Sequence, residues 1–278
     1  MKIRYEECPV KNCLSLQSLF TFSRRVFPKD YLFNGESHDF TEVVCIIGGR
    51  AGVTTDKNVY VLSAGQLIIH LPNEFHKIWS DNEEAETVIF SFRANEFPVL
   101  EKSVFTLNAE QIAQLCNIHK QAKEAFSIAG ERVTGIIPGR EAAASVVIKQ
   151  LEIFLLSVFA SKNAAMPYYS SRSAENYVRI VTAMDGMLGA PLNVEELAKE
   201  CNLSVSAIEK TMHRYMGCGA MTYFNNLRMK RAAVLLQAGK SVKEVAAELG
   251  FSCQNYFSLA FKKWAKQSPS SFRKQQPD

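Results

Sequence analysis

The chain has 278 residues, 47% of them hydrophobic and 22% charged, with 32 Lys and Arg against 28 Asp and Glu for a formal net charge of +4. This length exceeds one typical domain and accommodates two modest cores. Early charges without an apolar signal-peptide region argue against export, and seven scattered cysteines (8, 13, 45, 116, 201, 218, 253) with no Cys-x-x-Cys pair argue for reduced thiols in a soluble cytoplasmic protein rather than a disulfide framework.

From about Asp39 to Phe92, short apolar runs (Val43–Ile47, Val59–Leu62, Gln66–Ile69, Thr87–Phe92) alternate with the turn clusters Gly48-Gly49, Ala64-Gly65, Pro72-Asn73 and Asp81-Asn82. Evenly spaced short strands predict a small antiparallel barrel or jelly roll. A period of two places Glu36, His38, Phe40 and Glu42 on one face of a strand. Such a barrel either fills with its own side chains or holds one small molecule. The candidate pocket residues are His38, Glu42, His76 and Trp79, with Arg24, Tyr31 and His70 behind them.

Two helices follow. Ile112, Leu115, Cys116, His119, Ala122 and Phe126 share one face of the first; Val147, Leu151, Phe154, Leu155, Val158 and Phe159 share one face of the second. Lys149 and Glu152 interrupt the second stripe, which argues against a membrane span. That stripe is either consumed by its own domain or shared with a second protomer. The polar stretch Ala164–Ala174 then reads as an exposed linker.

Beyond it the charge changes. Residues 171–278 carry 15 Lys and Arg against 9 Asp and Glu, whereas residues 1–170 carry 17 against 19, so the basic end is the part suited to phosphates. A pattern also occurs there twice, forty-eight residues apart: Val194-Glu195-Glu196-Leu197-Ala198 closing on Leu203-Ser204, and Val242-Lys243-Glu244-Val245-Ala246 closing on Phe251-Ser252. Asn193 with Glu196, and Ser241 with Glu244, are shaped as capping boxes. Asn202 and Gly250 hold the position that needs a left-handed backbone. Ser204 and Ser252 can each cap the helix that follows. Each copy predicts two helices joined by a sharp turn, and two copies in register predict a tandem helix-turn-helix.

The stretch Gly250-Phe251-Ser252-Cys253-Gln254-Asn255-Tyr256-Phe257, continuing through Phe261 to Ser268-Pro269 and Phe272-Arg273, resembles the signature of AraC/XylS-type transcriptional regulators over about residues 174–274. The N-terminal half resembles that family's cupin-like effector domain through His38–Glu42, the Gly65 turn and Pro72–His76. The resemblance implies an α+β chain of two domains: a cupin-like antiparallel barrel with a helical dimerisation segment (1–163), a linker (164–174), and an all-α domain of about seven helices with two helix-turn-helix units (175–278), its long central helix near Met221–Gln237. It implies a sequence-specific regulator of double-stranded DNA set by a small-molecule effector, a sugar or related metabolite, and working as a homodimer. RNA polymerase is a further partner if the protein activates. The alternatives are control by a protein partner, or a metal-dependent cupin enzyme fused to a DNA-binding domain. No nucleotide loop, hydrolase elbow or zincin motif supports an enzyme.

By the same resemblance the first recognition helix presents Ser206, Ala207, Glu209, Lys210 and His213 to DNA, and the second Gln254, Asn255, Ser258 and Leu259. Lys210 and Leu259 stand where Arg is usual, so guanine readout weakens and the operator leans towards A/T. In metal cupins the barrel carries histidines and a carboxylate; here Glu36 replaces the first His, His38 and Glu42 match, and His76 is the fourth candidate. Regulators of this family usually lack the metal, so neither metal nor cofactor is expected. If about four to six phosphates are neutralised, log K falls against log salt with a slope of about −4 to −5 per protomer; a salt titration of duplex binding checks this, and a slope near zero contradicts it.

Overall fold

The computed structural model describes residues 8–9, 11–161 and 171–274. The chain divides into two compact units, Met1–Val53 with Tyr60–Tyr168, and Thr54–Val59 with Tyr169–Asp278. Residues 164–170 of the expected linker lie outside the described residues; Ser171 to Ala174 are the cap and first turn of a helix.

Among the described residues the N-terminal unit has an antiparallel sheet of eight strands: β1 (Ser15–Phe27), β2 (Thr41–Thr55), β3 (Val59–Ser63), β4 (Gln66–His70), β5 (His76–Glu96), β6 (Val104–Thr106), β7 (Phe126–Ala129) and β8 (Arg132–Ile136). They run in the order β6-β4-β2-β5-β1-β8-β7, with β3 paired to β2. The expected turns at Ala64-Gly65 and Pro72-Asn73 are present. Gly48-Gly49 and Asp81-Asn82 are not turns: they lie inside β2 and β5. Gly49 (φ 67°) and Asn82 (φ 62°) kink these strands without ending them. A Cβ on Gly49 would sit 1.9 Å from the Glu84 carbonyl oxygen, so the neighbouring strand approaches through the space that glycine leaves. Strand β1 was not foreseen. Register shifts at Ser15/Leu16, Leu16/Ser18 and Leu19/Thr21 break the alternation by which a strand is read.

Two helices cover this sheet, α1 (Ala109–Ala125) and α2 (Glu141–Ala160). The predicted α2 stripe is buried at Val147, Leu151, Phe154, Leu155 and Val158, in one core with Phe22, Val43, Leu67, Phe90 and Phe92. By length and composition α2 is apolar enough to cross a membrane, yet Glu152 lies buried within its stripe. That carboxylate accepts from the Leu16 backbone N–H at 2.9 Å and from Lys149 Nζ at 2.8 Å, so the charge is paired and ties the helix to the start of β1. Val146 and Ile153 remain exposed on α2.

The C-terminal unit contains α3 (Arg172–Gly186), α4 (Val194–Glu200), α5 (Val205–Met216), α6 (Ala220–Gln237), α7 (Val242–Glu248), α8 (Gln254–Ala265) and α9 (Pro269–Lys274). Both predicted capping boxes form, Asn193 with Glu196 and Ser241 with Glu244. Asn202 (φ 49°) and Gly250 (φ 67°) take the left-handed conformation. Ser204 caps α5, but α8 is capped by Cys253, whose Sγ accepts from the Tyr256 N–H, one residue later than Ser252. Cys253 is exposed. Arg228, buried on α6, donates from Nε and Nη2 to the Leu249 carbonyl at 3.2 and 2.5 Å and lies 3.9 Å from the Phe251 ring centre, which fixes the second turn to the long helix.

In α1, His119 packs edge-on to Phe22 at 5.2 Å, and its Nε2 is buried without a hydrogen-bond partner among the described residues. Burial, with Lys123 and Arg24 nearby, pushes its pKa down to about 4. Between the ordinary value of 6.5 and about 4 the unfolded chain therefore takes up a proton that the folded chain refuses, and stability falls as pH is lowered through that window. His119→Gln is expected to lose less Tm than the natural chain between pH values near 7 and near 5; equal losses would contradict this.

Candidate functional site

The sheet encloses a cavity of about 690 Å³. Thr21, Arg25 and Phe27 line it from β1, Glu42, Val44 and Val53 from β2, and His76, Lys77, Ile78 and Ile89 from β5; Tyr31, Phe33 and Glu36 line it from the segment before β2, and Glu131, Arg132 and Thr134 from the β7–β8 hairpin. Apolar walls with a few placed charges, at this size, are the usual form of a small-molecule site. Of the candidates, Glu42, His76, Tyr31 and His70 line the cavity. His38, Trp79 and Arg24 do not. His38 stacks on Phe40 with ring centres 3.8 Å apart and faces Glu42. Trp79 lies against Gly52, where a Cβ would come within 2.0 Å of the indole. Arg24 pairs with Glu86, because alternation along β1 turns Arg25 inward instead.

Arg25, Glu131 and Arg132 were missed because Arg25 and Arg132 stand on strands without a clear sequence signal and Glu131 lies in the turn between β7 and β8. Arg25 forms an ion pair with Glu131 and lies over Phe27 and Tyr31, rings stacked at 4.1 Å. Burial, with Glu131 and Glu36 nearby, raises the Tyr31 pKa against the opposing pull of Arg25, which keeps its hydroxyl a donor.

Glu36, His38, Glu42 and His76 meet at one end of the cavity, though not by sharing a strand. Glu36 forms an isolated bridge with His76, and β2 begins only at Thr41. His76 Nε2 lies 3.3 Å from Glu42 Oε1 and 3.9 Å from Glu36 Oε1; His38 Nε2 lies 3.9 Å from Glu42 Oε2. Burial works to raise the Glu42 pKa, but His76, His70 and His38 together hold it below the ordinary value. Burial works to lower His76, and Glu42 more than offsets it. Burial and His76 drive His70 well down, so that ring is neutral.

In the C-terminal unit, Ser206, Lys210 and His213 are exposed along α5, with Ala207 and Glu209 half-buried; on α8, Gln254, Asn255 and Leu259 are exposed and Ser258 is half-buried. Ile208, Met212, Phe257 and Phe261 hold the opposite faces in the core. Tyr256, 61% exposed beside Asn255, was not among the expected readers, although an aromatic ring at the start of such a helix is well placed for contact. Residues 197–275 match the family model for a helix-turn-helix domain, and residues 27–129 match that for the AraC-like ligand binding domain. The chain belongs to the AraC family of transcriptional regulators. Among its relatives, the Msm operon regulatory protein of Streptococcus mutans is 35% identical over 38% of this chain and 39% of its own length. The HTH-type transcriptional activator RhaR of Mannheimia succiniciproducens is 20% identical over 94% of this chain and 93% of its own. The solved C-terminal domain of AraT, a response regulator from Geobacillus stearothermophilus, is 26% identical over 39% of this chain and 91% of that one, with a TM-score of 0.37. These relatives are named as regulators, not as enzymes.

Within this AraC-family regulator, Glu209 has a structural task. Its Oε2 accepts from the Ala220 N–H at 3.3 Å, at the start of α6, where Gly219 provides no side-chain cap. Glu209→Ala is expected to lower stability by about 1 kcal/mol through loss of that helix-end partner, measurable by denaturant unfolding; an unchanged midpoint would contradict a capping role.

Proposed function

We propose that a small polar metabolite, a sugar or a related compound, binds the barrel cavity and sets how this regulator engages its operator. The observation that carries the reading is the cavity itself: a unit of the ligand-binding type whose interior is left open and lined by Arg25, Glu131, Arg132, Tyr31 and Glu42. An interior filled with its own side chains would have favoured control by a protein partner. Hydroxyl and carboxylate groups suit this lining, with the Phe27 and Tyr31 stack forming an apolar wall for a ring.

On DNA, Ser206, Ala207, Lys210 and His213 of α5 and Gln254, Asn255, Ser258 and Leu259 of α8 are the proposed contacts, with Glu209 shared between DNA and α6. Gln254 and Asn255 suit adenine, and Leu259 a thymine methyl. A cytoplasmic homodimer is the proposed working form, joined through the exposed apolar side of α2 at Val146 and Ile153, since paired half-sites match an isologous pair. The metabolite alters DNA binding to the extent that it favours one arrangement of the protein over another.

The test is a thermal-shift panel of sugars, sugar acids and amino acids on the full-length protein. A true effector at about 100 times its Kd adds about 2.7 kcal/mol, and Arg25→Ala is expected to weaken it at least tenfold. No stabilising compound, together with a Tm that rises only with a protein fraction, would move the reading to a protein partner.

A further inference from the structure

We propose that the barrel also holds a divalent first-row transition metal ion, bound by Glu36, His38, Glu42 and His76. This goes beyond the effector reading, does not depend on it, and reverses what the sequence led us to expect. The four side chains come from the segment before β2, from β2 itself and from the start of β5, and one ligand atom from each lies within 4.8 Å of all the others.

The histidines carry the argument. His38 Nδ1 lies 2.9 Å from the Phe40 carbonyl oxygen and His76 Nδ1 3.2 Å from that of Glu74. A carbonyl can only accept, so each Nδ1 bears the proton, and in a neutral ring Nε2 is then a bare lone pair. Both Nε2 atoms are buried with no hydrogen-bond partner among the described residues, and His76 is 4% exposed. What they face are carboxylate oxygens at 3.3, 3.9 and 3.9 Å. Lone pairs set against lone pairs repel unless a positive charge stands between them. A second proton on His76 would pair it with Glu42 at 3.3 Å, but that pair alone leaves His38 Nε2, buried and 3.9 Å from Glu42 Oε2, without a hydrogen-bond partner among the described residues, whereas one shared cation answers both rings.

A shared ion accounts for the spacing. Donors at about 2.0–2.2 Å from one metal lie about 3.3 Å apart in a tetrahedron, and further apart across a higher-coordinate shell. Two imidazoles and two carboxylates suit zinc, cobalt, iron or manganese rather than calcium or a thiophilic ion. His70 stacks on His76 at 4.2 Å with 11° between the rings and bonds Glu74 through Nδ1 at 3.1 Å, which holds the ligand ring in place. Glu36, Glu42 and His76 also line the cavity, so a bound molecule with oxygen donors can complete the shell.

The test is titration of dialysed, chelator-stripped full-length protein with Co²⁺, followed by visible absorption. One equivalent is expected to bind and give d–d bands without a cobalt–thiolate charge-transfer band. His76→Gln and His38→Asn, each verified as folded by circular dichroism, are expected to lose at least tenfold in affinity, and Glu36→Gln, on the half-exposed side, supplies a third variant if either unfolds. No stoichiometric binding by the natural chain, unchanged affinity in the folded variants, or a thiolate band from the cysteines would overturn the proposal. DNA binding by the same stripped samples is scored separately, so failure here is distinguishable from failure of the regulator reading.

Discussion

Each helix-turn-helix in this chain depends on one residue held with positive φ, Asn202 in the first and Gly250 in the second. A recognition helix is useful only if it leaves the turn at a fixed angle, and the left-handed step sets that angle. The two positions are not equally forgiving. Asn202 tolerates the conformation through its short polar side chain, whereas at Gly250 a Cβ would lie 2.5 Å from the Gly189 carbonyl oxygen, so strain and collision act together. Arg228 then fastens the second turn by its bonds to the Leu249 carbonyl. The first unit has a different fastening, with Glu209 reaching from α5 to the start of α6. One long helix thus receives a side-chain tie from each side.

The sheet unit handles burial of charge in the same economical way. Glu152 sits within an apolar helix stripe because the unpaired N–H of Leu16, beside the irregular start of β1, needs an acceptor. Glu42 sits at the end of the cavity because three histidines surround it. In both places a carboxylate that would be costly alone organises segments far apart in sequence.

The C-terminal unit was legible because its determinants are local. A capping box spans three residues and a turn needs one permissive backbone, so Asn193, Ser241, Asn202 and Gly250 announce themselves; the cap of α8 was misplaced by one residue because a thiol at Cys253 does the work a hydroxyl usually does. The sheet unit was legible in its central strands and not at its margins. Bulges disrupted the alternation of β1, and β8 is too short and exposed to show a pattern. Of the site, Glu42 and His76 could be found by motif, but Arg25 and Glu131 become neighbours only when β1 pairs with β8 across more than a hundred residues. Glu36 and His38 were also named for the cluster, but on a strand shared with Glu42; Glu36 instead joins it through a single bridge to His76.

The most direct test of the account is selection of binding sites from random duplex DNA by the full-length protein. Two tandem units predict an enriched motif with two recognised segments about one helical turn, roughly 34 Å, apart for each protomer. Enrichment of a single short segment would mean that one unit reads sequence while the other serves as scaffold, and failure to enrich any sequence, both for the full chain and for residues 171–278 alone, would contradict the account.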